Sequence, residues 1–444
     1  MLAEDMADSD RLKVLVVSQY WYPENGVPQR RWTWLSQILT NAGYEVTVIA
    51  PPPHYQRKLS LREWWTERKE DRPKSVLGPS GEIIVRSGFI PEGNSLTLRA
   101  VNQASVALGM VWLAIRKPAI LQGYRPDIVI GTVPALPTSV VAATLAFLYR
   151  APYLIDLRDA WPDLLQEAKQ WNRGVGGKSL RERVLSHGPL QVVTRLTRIV
   201  IDRVLERSNG ILVTAEYLRR QLQEGPAVQR RGMKISTIRN VFPPRTPVVR
   251  KPQSSTAYNS LNVLYAGTLG RAQNLANAIE AANIVASKGI KINLRLVGAG
   301  AARDSLTELI SNSGRHVSIE NRRPAEDLED YYSWADTALV HLTDWEPLTR
   351  VVPSKTYELM EIGIHISGAV AGEAADLISS LEAGDVVPPE SPEELARLWI
   401  ELAQNPERRK VSTRAAEWVA RERTQVTPPR LLTAISRAAS GRKG

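Results

Sequence analysis

The chain has 444 residues, 43% of them apolar, which is enough for two domains with separate cores; with no cysteine, disulfides and thiolate metal sites are excluded. Only five histidines are present, scattered too widely to suggest a ligand cluster. The net charge of +11 is uneven: residues 1–250 hold 35 Lys and Arg against 22 Asp and Glu, and residues 251–444 hold 22 against 24, so the first half invites an anionic partner, a membrane surface or lipid phosphate ahead of nucleic acid.

Met1 to Asp10 carries four acids and no apolar run, unlike a secretory or transit signal, so a cytoplasmic location is expected. From there short apolar runs alternate with helical patterns. Leu12–Val17 and Val46–Ala50 are rich in β-branched residues, and Trp32, Leu35, Ile38 and Leu39 between them follow helical spacing. Further strands are predicted at Ile83–Val85, Asp127–Ile130, Tyr153–Asp156, Gly210–Val213 and Ile235–Ile238. Most follow a helical or turn-rich stretch, so a parallel sheet covered on both faces is the expected solution. The uncharged run Ile128–Tyr149 is long enough to span a bilayer, but Pro134 and Pro137 interrupt it; it reads as a strand, a turn and a helix from about Ser139.

Residues 246–260, rich in proline and polar side chains, mark an exposed linker after a first domain of residues 1–245. A second cycle follows over residues 261–414, with strands predicted at Leu261–Ala266, Ile292–Val297, Val317–Ile319, Ala338–Leu342, Ile364–Ser367 and Val386–Val387. Ser391-Pro392-Glu393-Glu394 has the form of a capping box. The helical pattern of Arg408–Arg423 and the tail 415–444 are expected to pack back on the first domain. The fold class is α/β: two Rossmann-like, doubly wound parallel-sheet domains facing a cleft, with ligands at the carboxyl ends of the strands.

Four segments carry chemistry. Leu264 to Leu275 runs from a strand through Gly267 and Gly270 into a helix whose apolar face is Leu275, Ile279, Ala282 and Val285. Its glycines and Arg271 suit phosphate, although a plain packing turn has the same form, and Leu296-Val297-Gly298-Ala299-Gly300 repeats it. Val352 to Gly363 reads as a helix with Ser354 as N-cap; Lys355 in its first turn is unfavourable beside the helix dipole unless an anion sits there, and Glu358 one turn later suits adjacent ribose hydroxyls. Gly372-Glu373-Ala374 opens another helix with a carboxylate and amides for a sugar. In the first domain, Tyr153 to Pro162 ends a strand in Asp156, Arg158 and Asp159; Asp156 reads as a structural acceptor, while Arg158 and Asp159 are expected to reach the cleft.

Together the two halves resemble the GT-B glycosyltransferases, specifically the retaining family 4 members that build bacterial surface polysaccharides and glycolipids. The resemblance covers nearly the whole chain and rests on Tyr22-Pro23-Glu24-Asn25-Gly26, Asn41 to Val48, Leu157-Arg158-Asp159-Ala160-Trp161-Pro162, Gly270-Arg271-Ala272-Gln273 and Pro353-Ser354-Lys355-Thr356-Tyr357-Glu358. It implies a UDP-sugar donor, held by Gly26, Gly270, Arg271, Gln273, Lys355, Glu358, Glu373 and Ala374: Arg271 and Lys355 on the diphosphate, Glu358 on the ribose, and Glu373 with its neighbouring amides on the sugar. It also implies front-face substitution, in which the leaving phosphate takes the acceptor's proton, with Arg271 and Lys355 stabilising the diphosphate and Asp159, beside Arg158, orienting the acceptor or the cationic sugar. Three positions depart from the family: Arg350 stands where an acid is usual, Ala276 where a lysine is, and Arg158-Asp159 where a histidine is.

No cofactor or metal is expected, since the only Asp-x-Asp pair, Asp8 and Asp10, lies at the N-terminus. The expected acceptor is a lipid-linked, polyprenyl diphosphate intermediate or a growing glycan, with no nucleic acid partner. Arginine-rich amphipathic sequence between Leu180 and Arg207, with Trp64, Trp65 and Trp112 near Arg62 and Arg116, suits peripheral contact with an anionic inner membrane face. Two rival readings are a UDP-sugar epimerase of the same fold and a non-catalytic membrane-associated assembly protein, the latter favoured by Arg350.

Overall fold

A computed structural model describes residues 11–24, 26–53, 61–67, 75–91, 96–133, 135–160, 189–244, 258–311, 314–324 and 327–440. The first unit runs β1 (Lys13–Val17), α1 (Val27–Asn41), β2 (Glu45–Ala50), α2 (Leu61–Glu67), β3 (Ser75–Leu77), β4 (Ile83–Arg86), α3 (Leu96–Arg116), β5 (Ile128–Val133), α4 (Leu136–Tyr149), β6 (Tyr153–Leu157), α5 (Pro189–Arg207), β7 (Gly210–Val213), α6 (Glu216–Glu224), α7 (Pro226–Arg231) and β8 (Ile235–Thr237). Its eight strands lie in the order β3-β4-β2-β1-β5-β6-β7-β8, all parallel except β3, which pairs antiparallel with β4.

Strand alternation sorts the side chains onto two faces. Val14 and Val16 of β1 pack with Trp32, Leu35 and Leu39 of α1, whereas Leu15 and Val17 join the core under α3, α4 and α5. The second unit runs β9 (Ser260–Thr268), α8 (Ala276–Ser287), β10 (Lys291–Ala299), α9 (Arg303–Ser311), β11 (Val317–Glu320), α10 (Leu328–Trp334), β12 (Thr337–His341), α11 (Ser354–Ile362), β13 (His365–Ala369), α12 (Glu373–Ser380), β14 (Gly384–Val387) and α13 (Pro392–Gln404), with an all-parallel sheet ordered β11-β10-β9-β12-β13-β14.

The chain then returns. α14 (Arg414–Arg421) and α15 (Thr427–Ser440) are joined by a π-helical turn at Glu422–Val426. Leu431, Ala434, Ile435 and Ala438 of α15 fill the first sheet's α1 face, and the Tyr44 and Ser436 hydroxyls are 2.8 Å apart. The tail thereby covers apolar strand surface that α1 alone leaves bare.

The strand expectations hold with ends shifted by a few residues, while β3 and α3 were not anticipated. Ser391 precedes α13 with no capping hydrogen bond from its side chain, so the expected box is not made; Pro392 at the first helical position does the work through its fixed φ. The uncharged run is confirmed as strand and helix, although α4 begins at Leu136 rather than Ser139. Among the described residues no helix is long and apolar enough to cross a membrane. Most of the expected linker, Asn25, Trp161-Pro162 and the stretch from Leu180 to His187 lie outside the described residues.

Candidate active site

Strand order reverses between β1 and β5 in the first sheet and between β9 and β12 in the second. Such switch points open crevices at the carboxyl edge, where the loops on either side part. Gly26 at the start of α1 and the glycine loop after β9 stand at these two points.

Two glycines hold the second-unit loop by close approach. A Cβ on Gly298 would lie 1.9 Å from the Gly267 carbonyl oxygen, and one on Gly300 would lie 2.1 Å from that of Leu269. The second glycine turn is therefore the packing device, and it lets the loop of Gly270 and Arg271–Gln273 sit down on β10. Leu269 N–H donates to Ala299 O at 3.0 Å, and Thr343 N–H reaches Ala272 O at 2.9 Å. Beneath it His341 is buried, with Asn277 Nδ2 2.8 Å from its Nε2. Burial pushes the imidazole down to about 4 against the opposing backbone hydrogen bond at Gln273, so it is neutral at pH 7. Arg271 is half-buried in this loop.

The α11 segment begins at Ser354, but its N-cap is Pro353 and no side chain caps it. The expectation for Ser354 is thus corrected: proline already fixes the entry. Lys355 Nζ lies 3.0 Å from Glu358 Oε1 and 3.1 Å from the Tyr332 hydroxyl, which itself donates to Glu358 Oε1 at 2.8 Å. Burial pushes the Glu358 carboxyl up, but Lys355, the Tyr332 hydroxyl and the charge of Arg30 outweigh it and hold the pKa below the usual carboxylate value. This cluster sets a lysine beside a carboxylate held ionised, at the front of a helix.

Arg30 comes from α1, one turn beyond Gly26, and its charge reaches Glu358 of α11, so the start of α1 faces α11. A pocket between the units is lined by Arg30, Phe242, Ser354, Tyr357, Glu358 and Arg423, and the Arg30 guanidinium stacks 4.6 Å over the Phe242 ring. Arg423 closes its far side, donating to Val241 O at 2.6 Å and pairing with Glu361.

Glu373, expected at a sugar, is buried at the N-terminus of α12. Its Oε1 accepts from Arg239 at 2.6 Å and its Oε2 from the Tyr217 N–H at 2.6 Å, while the Tyr217 hydroxyl donates to Asp376. Arg239 and Tyr217 belong to the first unit, so Glu373 bridges the two. Ala374 beside it is fully buried.

In the first unit Asp156 is fully buried and accepts from Arg31 Nη2 at 2.8 Å, Arg31 Nε at 3.2 Å and Trp32 Nε1 at 2.9 Å, which settles it as a structural acceptor. Arg158 does not reach an open cleft as expected. Its guanidinium is buried beside the end of β5, with Nε donating to Val133 O at 2.9 Å and Nη2 without a partner, and burial lowers its pKa. Asp159, next along, is half-buried at the carboxyl edge. Arg350 is buried and pairs with Glu346 at 2.5 Å, so the position where the family usually has an acid carries a short-range ion pair instead.

Arg30, Tyr217, Arg239, Tyr332 and His341 join the site without having been singled out in the sequence. Only Arg239 left a signal, a cation directly after the last strand of the first sheet. Among the described residues, no group of three or more His, Asp or Glu side chains is gathered to hold a metal.

Comparison with known proteins agrees with this geometry. Residues 250–418 match the family model "Glycosyl transferases group 1". A curated relative, "Putative colanic acid biosynthesis glycosyl transferase WcaI" of Escherichia coli (strain K12), is 23% identical over 362 residues, covering 79% of this chain and 82% of its own. Sucrose-phosphate synthase from Thermosynechococcus elongatus superposes with a TM-score of 0.60 at 14% identity, covering 98% of both chains. Anabaena Alr3699/HepE, solved in complex with UDP-glucose, gives 0.59 at 15% identity over 96% of this chain and 100% of its own. The fold is thus GT-B, and its second unit carries, over residues 250–418, a glycosyl transferases group 1 domain.

Proposed function

We propose that the protein is a retaining glycosyltransferase that moves a hexosyl or N-acetylhexosaminyl group from a UDP-sugar to a lipid-linked, polyprenyl diphosphate intermediate or growing glycan of bacterial surface polysaccharide. The observation that carries the reading is the Lys355–Glu358–Tyr332 cluster facing Arg30 across the cleft. A charged lysine at a helix N-terminus suits a diphosphate, and a carboxylate held ionised beside it suits the two hydroxyls of a ribose. The UDP-glucose complex of the Anabaena protein and the colanic acid assignment of the E. coli relative support donor and pathway.

Arg271 and Lys355 stabilise the charge that builds on the diphosphate as the glycosidic bond breaks, in a cleft that excludes water. The leaving phosphate oxygen takes the proton of the acceptor hydroxyl as that hydroxyl bonds to the anomeric carbon on the same face. Asp159 orients the hydroxyl, and Arg158, buried behind it, positions Asp159. No metal is required in this scheme. The test is incubation of the pure protein with a panel of UDP-sugars in the presence of EDTA. UDP release with a product of retained anomeric configuration supports the proposal. A changed sugar still attached to UDP identifies an epimerase, and binding without turnover identifies a scaffold.

A further inference from the structure

Helix α3 is apolar on two opposite sides. Val106, Met110 and Ala114 are buried against α4, whereas Val101, Leu108, Trp112 and Ile115, spaced at helical intervals on the other side, face solvent, with Leu108 71% and Trp112 57% exposed. Folding of the domain accounts for the first stripe and leaves the second unexplained. The stripe does not end with α3. On α4, which packs between α3 and α5, Val140, Phe147 and Leu148 are exposed, Phe147 at 83%, and on α5 Leu196, Ile199 and Val200 are too. Ten of the nineteen large apolar side chains exposed on the described surface lie on these three neighbouring helices, which together cover one face of the first sheet. Soluble surfaces rarely gather so many on one face without a partner.

The charges around this face are mostly basic, with Asp202 and Glu206 of α5 as the acids on the three helices. α3 and α4 contain no acid, and from Gly93 to Ile155 the only one is Asp127, whose carboxylate accepts from the backbone N–H of Lys13 at the opposite, amino edge of the sheet. Arg116, stacked 4.8 Å over the Trp112 ring, Lys117 and Arg150 rim the α3 and α4 ends, and Arg195, Arg198, Arg203 and Arg207 line α5, where Asp202 pairs with Arg198. Three neighbouring helices with exposed apolar side chains ringed by arginines offer the pairing of apolar surface and positive charge that an anionic lipid surface takes.

We propose that the outer face of α3, α4 and α5 docks on the surface of an anionic lipid bilayer, with Leu108, Trp112 and Phe147 entering the interface and the arginine rim engaging lipid phosphates. Docking is read from surface chemistry alone and does not depend on the sugar-transfer reading. A protein that binds vesicles and transfers nothing would overturn the transfer reading and leave this one standing.

The test is co-flotation of the full chain with vesicles of pure phosphatidylcholine or of phosphatidylcholine with about one third phosphatidylglycerol. The expected result is flotation with the anionic vesicles, weakened by high salt, and a drop of about tenfold or more in partition for Leu108→Ser with Phe147→Ser. Both side chains point into solvent, so the variant should melt with the wild type. Equal flotation of wild type and variant, or no flotation of either, overturns the proposal. So does a wild-type dimer in sedimentation equilibrium that the same variant turns monomeric, since the face would then belong to a second copy.

Discussion

Arg239 and Glu373 meet at 2.6 Å across the boundary between the two units, both almost fully buried. The Glu373 carboxylate also takes the Tyr217 N–H, so a single side chain from α12 holds two points of the first unit. A buried pair of this kind is costly to break from one side, because the survivor keeps its charge in a low-dielectric site. Glu373→Ala should therefore lower stability by about 3–5 kcal/mol in chemical denaturation. A loss below about 1 kcal/mol would mean that the carboxylate is not engaged by Arg239 in solution and is open to a sugar instead.

Lys355 and Glu358 are half-buried, and α11 does not need them for its packing, which rests on Leu359 and Met360. Lys355→Ala and Glu358→Ala should each impair transfer while the melting temperature stays near wild type. Loss of the lysine should act on kcat by about a hundredfold or more, as expected for a charge that acts on the leaving group. Loss of the carboxylate should act more on KM for the donor, because a ribose contact is made equally before and during reaction. Steady-state UDP release checks both, and wild-type rates in either variant would remove the donor site from α11.

The pH dependence of stability should carry the signature of His341. Its pKa is about 4 in the folded protein and near 6.5 unfolded, so above pH 6.5 the ring is neutral in both states and costs nothing. As pH falls, the unfolded chain takes up the proton first, and stability drops between about pH 6.5 and 4 by about 3 kcal/mol. Glu358, whose pKa is depressed, adds its own loss only below the usual carboxylate range. His341→Gln should flatten the upper part of the slope in urea titrations at pH 6.5 and 5, and an unchanged slope would assign the effect elsewhere.

The parts of the fold legible in the sequence were those with a local cause. Alternating β-branched runs located most of the strands, and Leu275, Ile279, Ala282 and Val285 repeated at helical spacing because they fill one core. The short β3 carries little alternation, and α3 is apolar on two sides, so neither stands out by periodicity. At the site, Lys355 and Glu358 were readable because both lie on one helical turn. Arg30, Arg239 and Tyr332 were not, since their partners lie 23 to 328 positions away, and no local pattern encodes such a meeting. Arg158 misled because a charge at a strand end reads as exposed, yet the turn carries it inward to Val133.

Asp156 was readable as structural, and its three hydrogen bonds make the claim quantitative. Arg31 has no exposed surface and also donates through Nη1 to Ile238 O at 2.7 Å and Asn240 Oδ1 at 2.9 Å, tying α1, β6 and the end of β8 together. Asp156→Ala leaves this guanidinium uncompensated and should cost about 3–5 kcal/mol. Asp156→Asn, which keeps an acceptor of the same shape, should cost less. If both variants unfold at the wild-type denaturant midpoint, the pair is not what joins these elements.

The two glycine turns of the second unit should separate under the same substitution. On Gly298 an added methyl meets the backbone carbonyl of Gly267, which cannot yield without parting β9 from β10, so Gly298→Ala should destabilise by about 1–3 kcal/mol and disturb donor binding together. On Gly270 the nearest atom is the far end of the Gln273 side chain, 2.5 Å away, which can swing aside. Gly270→Ala should therefore melt with the wild type and show its effect only as weaker UDP binding in calorimetry, because the loop at the strand's carboxyl edge is where phosphate oxygens need room. A destabilised Gly270→Ala beside an unaffected Gly298→Ala would exchange the two roles and move the donor phosphate to the loop after β10.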